Sequence, residues 1–216
     1  MEIREIMKRR HSVRQYTAQP IEPEKRAVLD KMIAEIDRNT GLNIQIFYEE
    51  PTCFDSMMAH YGKFTGVKNY IALVGKKSDT LEEQLGYEGE RIVLKAQELG
   101  LNTCWVALTH GKSKAQVGTN EKQVCLISLG YGCTAGATHK SKSLSEVSNY
   151  KDGMPDWFRA GLEAALLAPT AMNQQKFFFE LSGDKVKATC GRGFYTKLDL
   201  GIVKYHFEVV SGKNVQ

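Results

Sequence analysis

Between Asp79 and Leu108 the chain passes, across a single glycine, from a helical pattern to a strand. Ile92, Val93, Ala96 and Leu99 recur at the spacing that lines one side of an α-helix. Gly100 stops that helix, and Leu101-Asn102-Thr103-Cys104-Trp105-Val106-Ala107-Leu108 reads as a buried strand. The fold therefore mixes both kinds of element. Asp79 followed by Glu82 has the form of a helix-start capping pair, and Gly86 and Gly89 are weak points within the helix. Its other face, with Glu88, Glu90, Arg91, Lys95 and Glu98, reads as solvated.

Similar punctuation runs through the rest of the chain. Ile3, Ile6 and Met7 mark a short first helix. Pro23 suits the first position of a second helix, with Val28, Leu29, Met32, Ile33 and Ile36 at helical spacing and Gly41 to close it. Ile44, Ile46 and Tyr48 alternate as in a strand, and residues 49–68 read as loop with a short helix. Tyr70 to Val74 is an apolar strand ended by Gly75, and Val124 to Leu129 is another strand. Gly130 to Met154 is a long glycine-rich and polar loop, of the kind usually functional or mobile. Pro155 restarts a helix that Pro169 ends. Phe177 to Leu181 and Val186 to Cys190 alternate about Gly183-Asp184, a β-hairpin pattern. The last helix shows Leu198, Ile202, Tyr205 and Val209 on one face and stops at Gly212. Asn43, Gln45 and Phe47 recur as Asn173, Gln175 and Phe177, too few identities to separate an ancient duplication from coincidence.

With 216 residues, 42% hydrophobic and 25% charged, this is an ordinary globular chain of one domain or two small ones. A formal charge of +4 suits a small anionic ligand better than a nucleic-acid backbone. The five cysteines are dispersed, without a Cys-x-x-Cys pair, which points to reduced thiols in the cytoplasm. No apolar run approaches membrane-spanning length. His60, His110 and His206 lack metal-ligand spacing and read as surface or satisfied core histidines. Gly130-Tyr131-Gly132 follows a strand, but its spacing is wrong for a dinucleotide fingerprint. Cys104 reads better as a small core residue than as a reactive thiol.

The richest polar stretch is Arg9-Arg10-His11-Ser12-Val13-Arg14-Gln15-Tyr16. In an extended segment Arg10, Ser12 and Arg14 point the same way, presenting two guanidinium groups and a hydroxyl on one wall. Such a wall suits a phosphate beside a polar ring. The alternative is a basic, solvated helix end.

Three stretches together resemble the nitroreductase family of flavoproteins. Arg10-His11-Ser12-Val13-Arg14-Gln15-Tyr16 is similar to the family's Arg-x-Ser-x-Arg/Lys-x-Phe/Tyr opening. Ala168-Pro169-Thr170-Ala171-Met172-Asn173-Gln174-Gln175-Lys176-Phe177 resembles its Ala-Pro-Ser-x-x-Asn-x-Gln-Pro-Trp. Glu98-Leu99-Gly100-Leu101-Asn102-Thr103-Cys104-Trp105 is similar to its Leu-Gly-Leu-Gly-Thr-Cys-Trp. Here the Ala-Pro-Thr stretch falls in the last quarter of the chain, as in the rearranged thermophile-type branch. That order leaves open whether a pocket is built within one chain or across two.

The resemblance implies a single domain over residues 1–216, an α+β fold with a central, mainly antiparallel mixed sheet flanked by helices, and a homodimer. It implies non-covalently bound FMN, carrying electrons from NADH or NADPH to a nitro compound, quinone or related acceptor. A storage or sensor role for bound FMN is the alternative. Carried over, Arg10, His11 and Ser12 hold the phosphate and ribityl chain, and Arg14 meets the N1/O2 edge of the flavin. Trp105, Val106, Ala107 and Leu108 run beside the ring. Lys140 and Lys142 match the family's later phosphate-binding pair, and Pro169, Thr170, Ala171, Asn173 and Gln175 close the pocket. The flavin carries the redox step, so the resemblance calls for no catalytic side chain and no metal.

Overall fold

The structure, a computed structural model, describes residues 2–216. In chain order its elements are α1 (Ile3–Arg9), α2 (Pro23–Thr40), β1 (Gln45–Phe47), α3 (Met57–Tyr61), β2 (Asn69–Lys76), α4 (Leu81–Glu98), β3 (Asn102–Val106) and β4 (Glu121–Gly130). There follow α5 (Leu144–Val147), α6 (Asp156–Ala165), a 3-10 turn (Ala171–Asn173), β5 (Phe177–Ser182), β6 (Lys185–Cys190) and α7 (Thr196–Ser211). The fold is α+β. The chain divides into two compact units. A sheet unit comprises Arg9–Leu81 and Ile92–Ala137; a hairpin unit comprises Glu82–Arg91 and Thr138–Gln216 with the chain's start through Lys8.

In the sheet unit the strands run β1-β2-β4-β3, and every neighbouring pair is antiparallel. Tyr70, Ala72 and Val74 of β2 enter a core cluster with Val13, Tyr16, Phe54, Phe64, Cys104 and Val106. The alternate residues Ile71 and Leu73 are buried as well. Burial on both faces explains why this stretch reads as continuously apolar. Gly75 does not end the strand, contrary to the sequence reading. It lies inside β2, where an added Cβ would fall 2.5 Å from Leu81 Cδ1, so the glycine makes room for neighbouring leucines. α2 begins at Pro23 and closes on Gly41, whose φ of 72° lets its N–H reach Asp37 O at 2.8 Å. Val28, placed on the apolar face by its spacing, is exposed.

β3 is an edge strand, and the basic stretch lies along it. Ser12 pairs with Thr103 in a parallel bridge, and Val13 N–H donates to Thr103 O at 3.0 Å. Further on, Tyr16 N–H donates to Thr65 O at 2.9 Å. The mixed character expected of the sheet comes from this flanking segment.

The hairpin unit turns at Gly183-Asp184, with Ser182 opposite Lys185. Phe179 of β5 stacks on Phe207 of α7 at 4.8 Å, and Phe207 meets Phe158 of α6 edge-on at 5.9 Å. Gly161 leaves space for the Phe207 ring, which would stand 2.6 Å from a Cβ there. The first half of α4 meets α7 through two glycines. A Cβ on Gly86 would lie 2.0 Å from Leu198 O, and one on Gly201 would lie 1.9 Å from Glu83 O. Gly86 is thus a helix-contact residue rather than a weak point.

Two further readings of α4 are corrected. Its N-cap is Thr80, one residue after the Asp79 of the sequence reading, and Thr80 makes no side-chain cap bond. Its charged face is not wholly solvated: Glu88 and Glu90 are buried. Glu90 Oε1 meets His206 Nε2 at 2.9 Å, and His206 Nδ1 donates to Ala164 O at 3.0 Å. His206 is a satisfied core histidine. On α7 the buried side is Leu198, Ile202, Val203, His206 and Phe207, whereas Val209 is exposed.

Candidate functional site

The expected site residues fall into two sets, each assembled within one unit. In the sheet unit the bridge to Thr103 fixes the backbone at Ser12 and turns Val13 into the core. Arg10 is buried, Ser12 is half-buried and Arg14 is exposed. All three act on the Cys104 thiol of β3. Burial pushes that thiol up, opposed by the Arg14 charge, the Ser12 hydroxyl bond and the Arg10 charge. Two guanidinium groups and a hydroxyl thus lie near enough to Cys104 to bear on its thiol, though they differ in exposure. The Arg14 guanidinium also lies 5.9 Å from the centroid of the Phe64 ring.

His11 is half-buried beside Gly136, where a Cβ would stand 2.6 Å from His11 Cβ and φ is +75°. Both constraints demand glycine at that position. Trp105 and Val106 are the last residues of β3, opposite Ile127 and Leu126. Ala107 and Leu108 leave the strand, and Leu108 is exposed.

In the hairpin unit Lys140, Lys142 and the turn after Pro169 form one network. Asn173 Nδ2 and Gln175 Nε2 both donate to Lys140 O at 2.8 Å. Gln175 Nε2 also donates to Asn173 Oδ1 at 2.8 Å. Lys142 donates twice to Gln175, from its backbone N–H to Oε1 and from Nζ to the carbonyl, each at 2.9 Å. Thr170 Oγ1 accepts from Gln175 N–H at 3.1 Å. Met172, Asn173 and Gln175 hold φ values of 52°, 53° and 45°. Left-handed backbone at residues other than glycine costs on the order of 1–3 kcal/mol each and persists only where its surroundings enforce it.

Asp199, absent from the sequence-based set, supplies part of that enforcement. It lies in the first turn of α7, is buried, and accepts from Ala171 N–H at 2.9 Å and from Gln174 Nε2 at 2.7 Å. Burial raises its carboxyl to about 6, against the pull of those two donors. The available signal was an acid set among Leu198, Leu200 and Ile202. Gln174 Nε2 also donates to Phe194 O at 2.9 Å. The loop it reaches borders a cleft of about 380 Å³ lined by Glu82, Arg192, Thr196, Lys197 and the glycines Gly191 and Gly193.

Together these features define an α+β protein with an antiparallel sheet, flanking helices and a cationic segment laid on an edge strand. Residues 2–211 match the family model "Putative TM nitroreductase", and the chain belongs to that nitroreductase family. Among solved structures it is similar to a "putative nitroreductase" from Thermotoga maritima, with 22% identity over 97% of this chain and 83% of that one and a TM-score of 0.69. It is also similar in fold to a "putative nitroreductase in complex with FMN" from Desulfovibrio desulfuricans, with 13% identity, 72% and 99% coverage and a TM-score of 0.55. A "putative NADH oxidase" from Clostridium acetobutylicum gives 18% identity, 68% and 99% coverage and a TM-score of 0.53. No curated protein matches the chain. Among the described residues, no helix is long and apolar enough to cross a membrane.

Proposed function

We propose that this protein is an FMN-dependent oxidoreductase that passes electrons from NADH or NADPH to a nitro compound, quinone or related small acceptor. One observation supports the reading: the segment that carries Arg10, Ser12 and Arg14 is laid along β3 at Thr103, and all three residues bear on the neighbouring Cys104 thiol, in a chain of the nitroreductase family. A fixed pair of cations with a hydroxyl is a donor set suited to a phosphate dianion, each charge-assisted bond contributing roughly 1.5–3 kcal/mol. Arg10, His11 and Ser12 would hold the phosphate and ribityl chain, while Arg14 would place positive charge at the N1/O2 edge of the ring. Trp105, Val106, Ala107 and Leu108 would border the ring. Lys140 and Lys142 would add to the phosphate contacts, and Pro169, Thr170, Ala171, Asn173 and Gln175 would close the pocket, from the same chain or from a second copy in a homodimer. When bound, FMN supplies the redox chemistry, taking hydride from NAD(P)H and giving electrons to the acceptor. The protein's own part is to bind, orient and stabilise negative charge, the work of fixed cations and backbone donors. We take the chain to act as a single domain in the cytoplasm.

The test is spectroscopic. Purified protein, loaded with FMN where needed, is given NADH or NADPH without oxygen and then a quinone. Bleaching followed by recovery of the flavin colour is expected. Bound flavin that NAD(P)H never bleaches would leave a storage or sensing role, and failure to bind FMN at all would refute the reading.

A further inference from the structure

The Thr170–Gln175 turn is held by a carboxylate that no cation answers. Asp199 makes its side-chain bonds to Ala171 N–H and Gln174 Nε2, both neutral. Of the cations around the turn, Lys176 Nζ donates to Arg192 O at 3.1 Å and Lys142 Nζ to Gln175 O at 2.9 Å, and Lys197, two positions before Asp199 on α7, does not bear on its titration. No charged group contributes to the titration of Asp199, which is governed by burial and those two donors. Over this buried acid the turn carries three left-handed residues other than glycine, and Met172 is 97% exposed at its tip. Opening such a turn relieves the backbone and hydrates the carboxyl together, against the bonds from Ala171 and Gln174 that hold it closed.

We propose that the Thr170–Gln175 turn is a gate and that Asp199 is its latch, closed while the carboxyl is neutral and eased when it ionises. The sign follows from linkage. A group whose proton is held more tightly in the closed state than in the open one favours closure at low pH. Asp199 is raised from 3.8 to about 6 when covered and returns toward 3.8 when the turn opens to water. Opening therefore becomes more favourable as pH rises from about 4 through 6, by up to about 100-fold, and levels off above. Gln174 bonds both Asp199 and Phe194 O, so the same event frees the loop that borders the cleft. Asp199 is thus a positioning residue, acting through Ala171 and Gln174 on Asn173, Gln175 and the Lys140–Lys142 segment.

The link to cofactor binding rests on the FMN reading above, so the test has two arms. In the first, hydrogen exchange of residues 170–175 is measured on cofactor-free protein from pH 4.5 to 7.5 and corrected for intrinsic exchange. Across that range opening should rise by roughly 25-fold with a half-maximum near 6, and Asp199→Asn should flatten the profile. If Asp199→Asn does not fold, Gln174→Ala serves instead. It removes a bond that favours the ionised form, and so should move the midpoint upward. A flat profile in the unaltered protein, or the same profile in Asp199→Asn, overturns the latch. In the second arm, FMN affinity is compared between the two proteins at each pH, so that titration of the FMN phosphate cancels in the ratio. Relative affinity should fall as pH rises through 6 in the unaltered protein. A constant ratio, with FMN bound, disconnects the gate from the cofactor. Absence of FMN binding at every pH sinks the cofactor reading and leaves the exchange arm to decide the gate.

Discussion

Arg10 and Arg14 stand four positions apart and act on the same thiol, yet one is buried and the other is exposed over Phe64. Burial decides what each can do. A guanidinium in low dielectric interacts strongly with a phosphate, whereas an exposed one is screened and contributes through its position beside a ring. Arg10→Ala is therefore expected to weaken FMN binding roughly 10- to 100-fold, the equivalent of one charge-assisted bond. Arg14→Ala should change affinity less and lower the flavin reduction potential, because it removes a cation near the reduced ring. Equal losses of affinity with no shift in potential would overturn both assignments. The extended course of this segment was legible in the sequence, and the structure shows it as the Ser12 bridge to Thr103; the different burial of the two arginines was not. Glu90 and His206 show the opposite case. Nothing local marks a glutamate on a charged helix face as buried; the histidine that meets it lies 116 positions away. Removing His206 takes away a bond to a buried carboxyl group and leaves a hole in the core, so His206→Ala should cost about 3–5 kcal/mol in urea unfolding. A loss below about 1 kcal/mol would mean that water enters and replaces the ring.

Among elements, those ended by their own chemistry were readable and those shaped by contact were not. Gly41, Gly100 and Gly212 close α2, α4 and α7 with left-handed φ values of 72°, 79° and 66°, and Gly183 turns the hairpin at 58°. Each is a local backbone requirement that only glycine meets without strain. Gly75 and Gly86 carry the same letter for a different reason, the close approach of another element, and sequence spacing cannot separate the two uses. Substitution can. A Cβ at Gly86 would sit 2.0 Å from a backbone carbonyl that cannot rotate away, so Gly86→Ala should cost about 2–3 kcal/mol by forcing α4 from α7. A Cβ at Gly100 meets nothing within 4 Å, and Gly100→Ala should cost about 1 kcal/mol, for its φ alone. Chemical denaturation of the two variants checks the order, and a smaller loss at Gly86 would mean that the helices separate freely. The repeated Asn-x-Gln-x-Phe also has physical content. Gln45 Nε2 donates to Asn43 Oδ1 at 3.2 Å, as Gln175 Nε2 does to Asn173 Oδ1 at 2.8 Å. Only the second pair sits on left-handed backbone, so the shared letters encode a side-chain bond and not a shared turn.

For the whole molecule, the α+β class and the family followed from three short stretches, while the organisation of the two units did not. The long helix α4 supplies residues to both units, its sequence unbroken at the division after Arg91. Hydrophobic periodicity reports that a face is buried, not what buries it. The proposed site residues divide in the same way, with Arg10, His11, Ser12, Arg14 and residues 105–108 in the sheet unit and Lys140 to Gln175 in the hairpin unit. If one cofactor engages both sets, its effect must appear in the stability of the entire chain. A ligand that binds only the folded state stabilises it by about 2.7 kcal/mol at one hundred times its dissociation constant. For a protein near 200 residues each kcal/mol raises Tm by about 2–4 °C, so saturating FMN should raise it by about 5–10 °C. Riboflavin shares the ring but lacks the phosphate, and should give a clearly smaller shift at equal concentration. The difference isolates the phosphate, and Arg10→Ala should abolish most of it while leaving the riboflavin shift nearly intact. Lys142→Ala should likewise reduce the FMN shift more than the riboflavin shift if its ammonium exchanges the Gln175 carbonyl for the phosphate, and equal reductions would confine it to shaping the turn. A riboflavin shift as large as that of FMN would remove the phosphate from the recognition and Arg10 from the site.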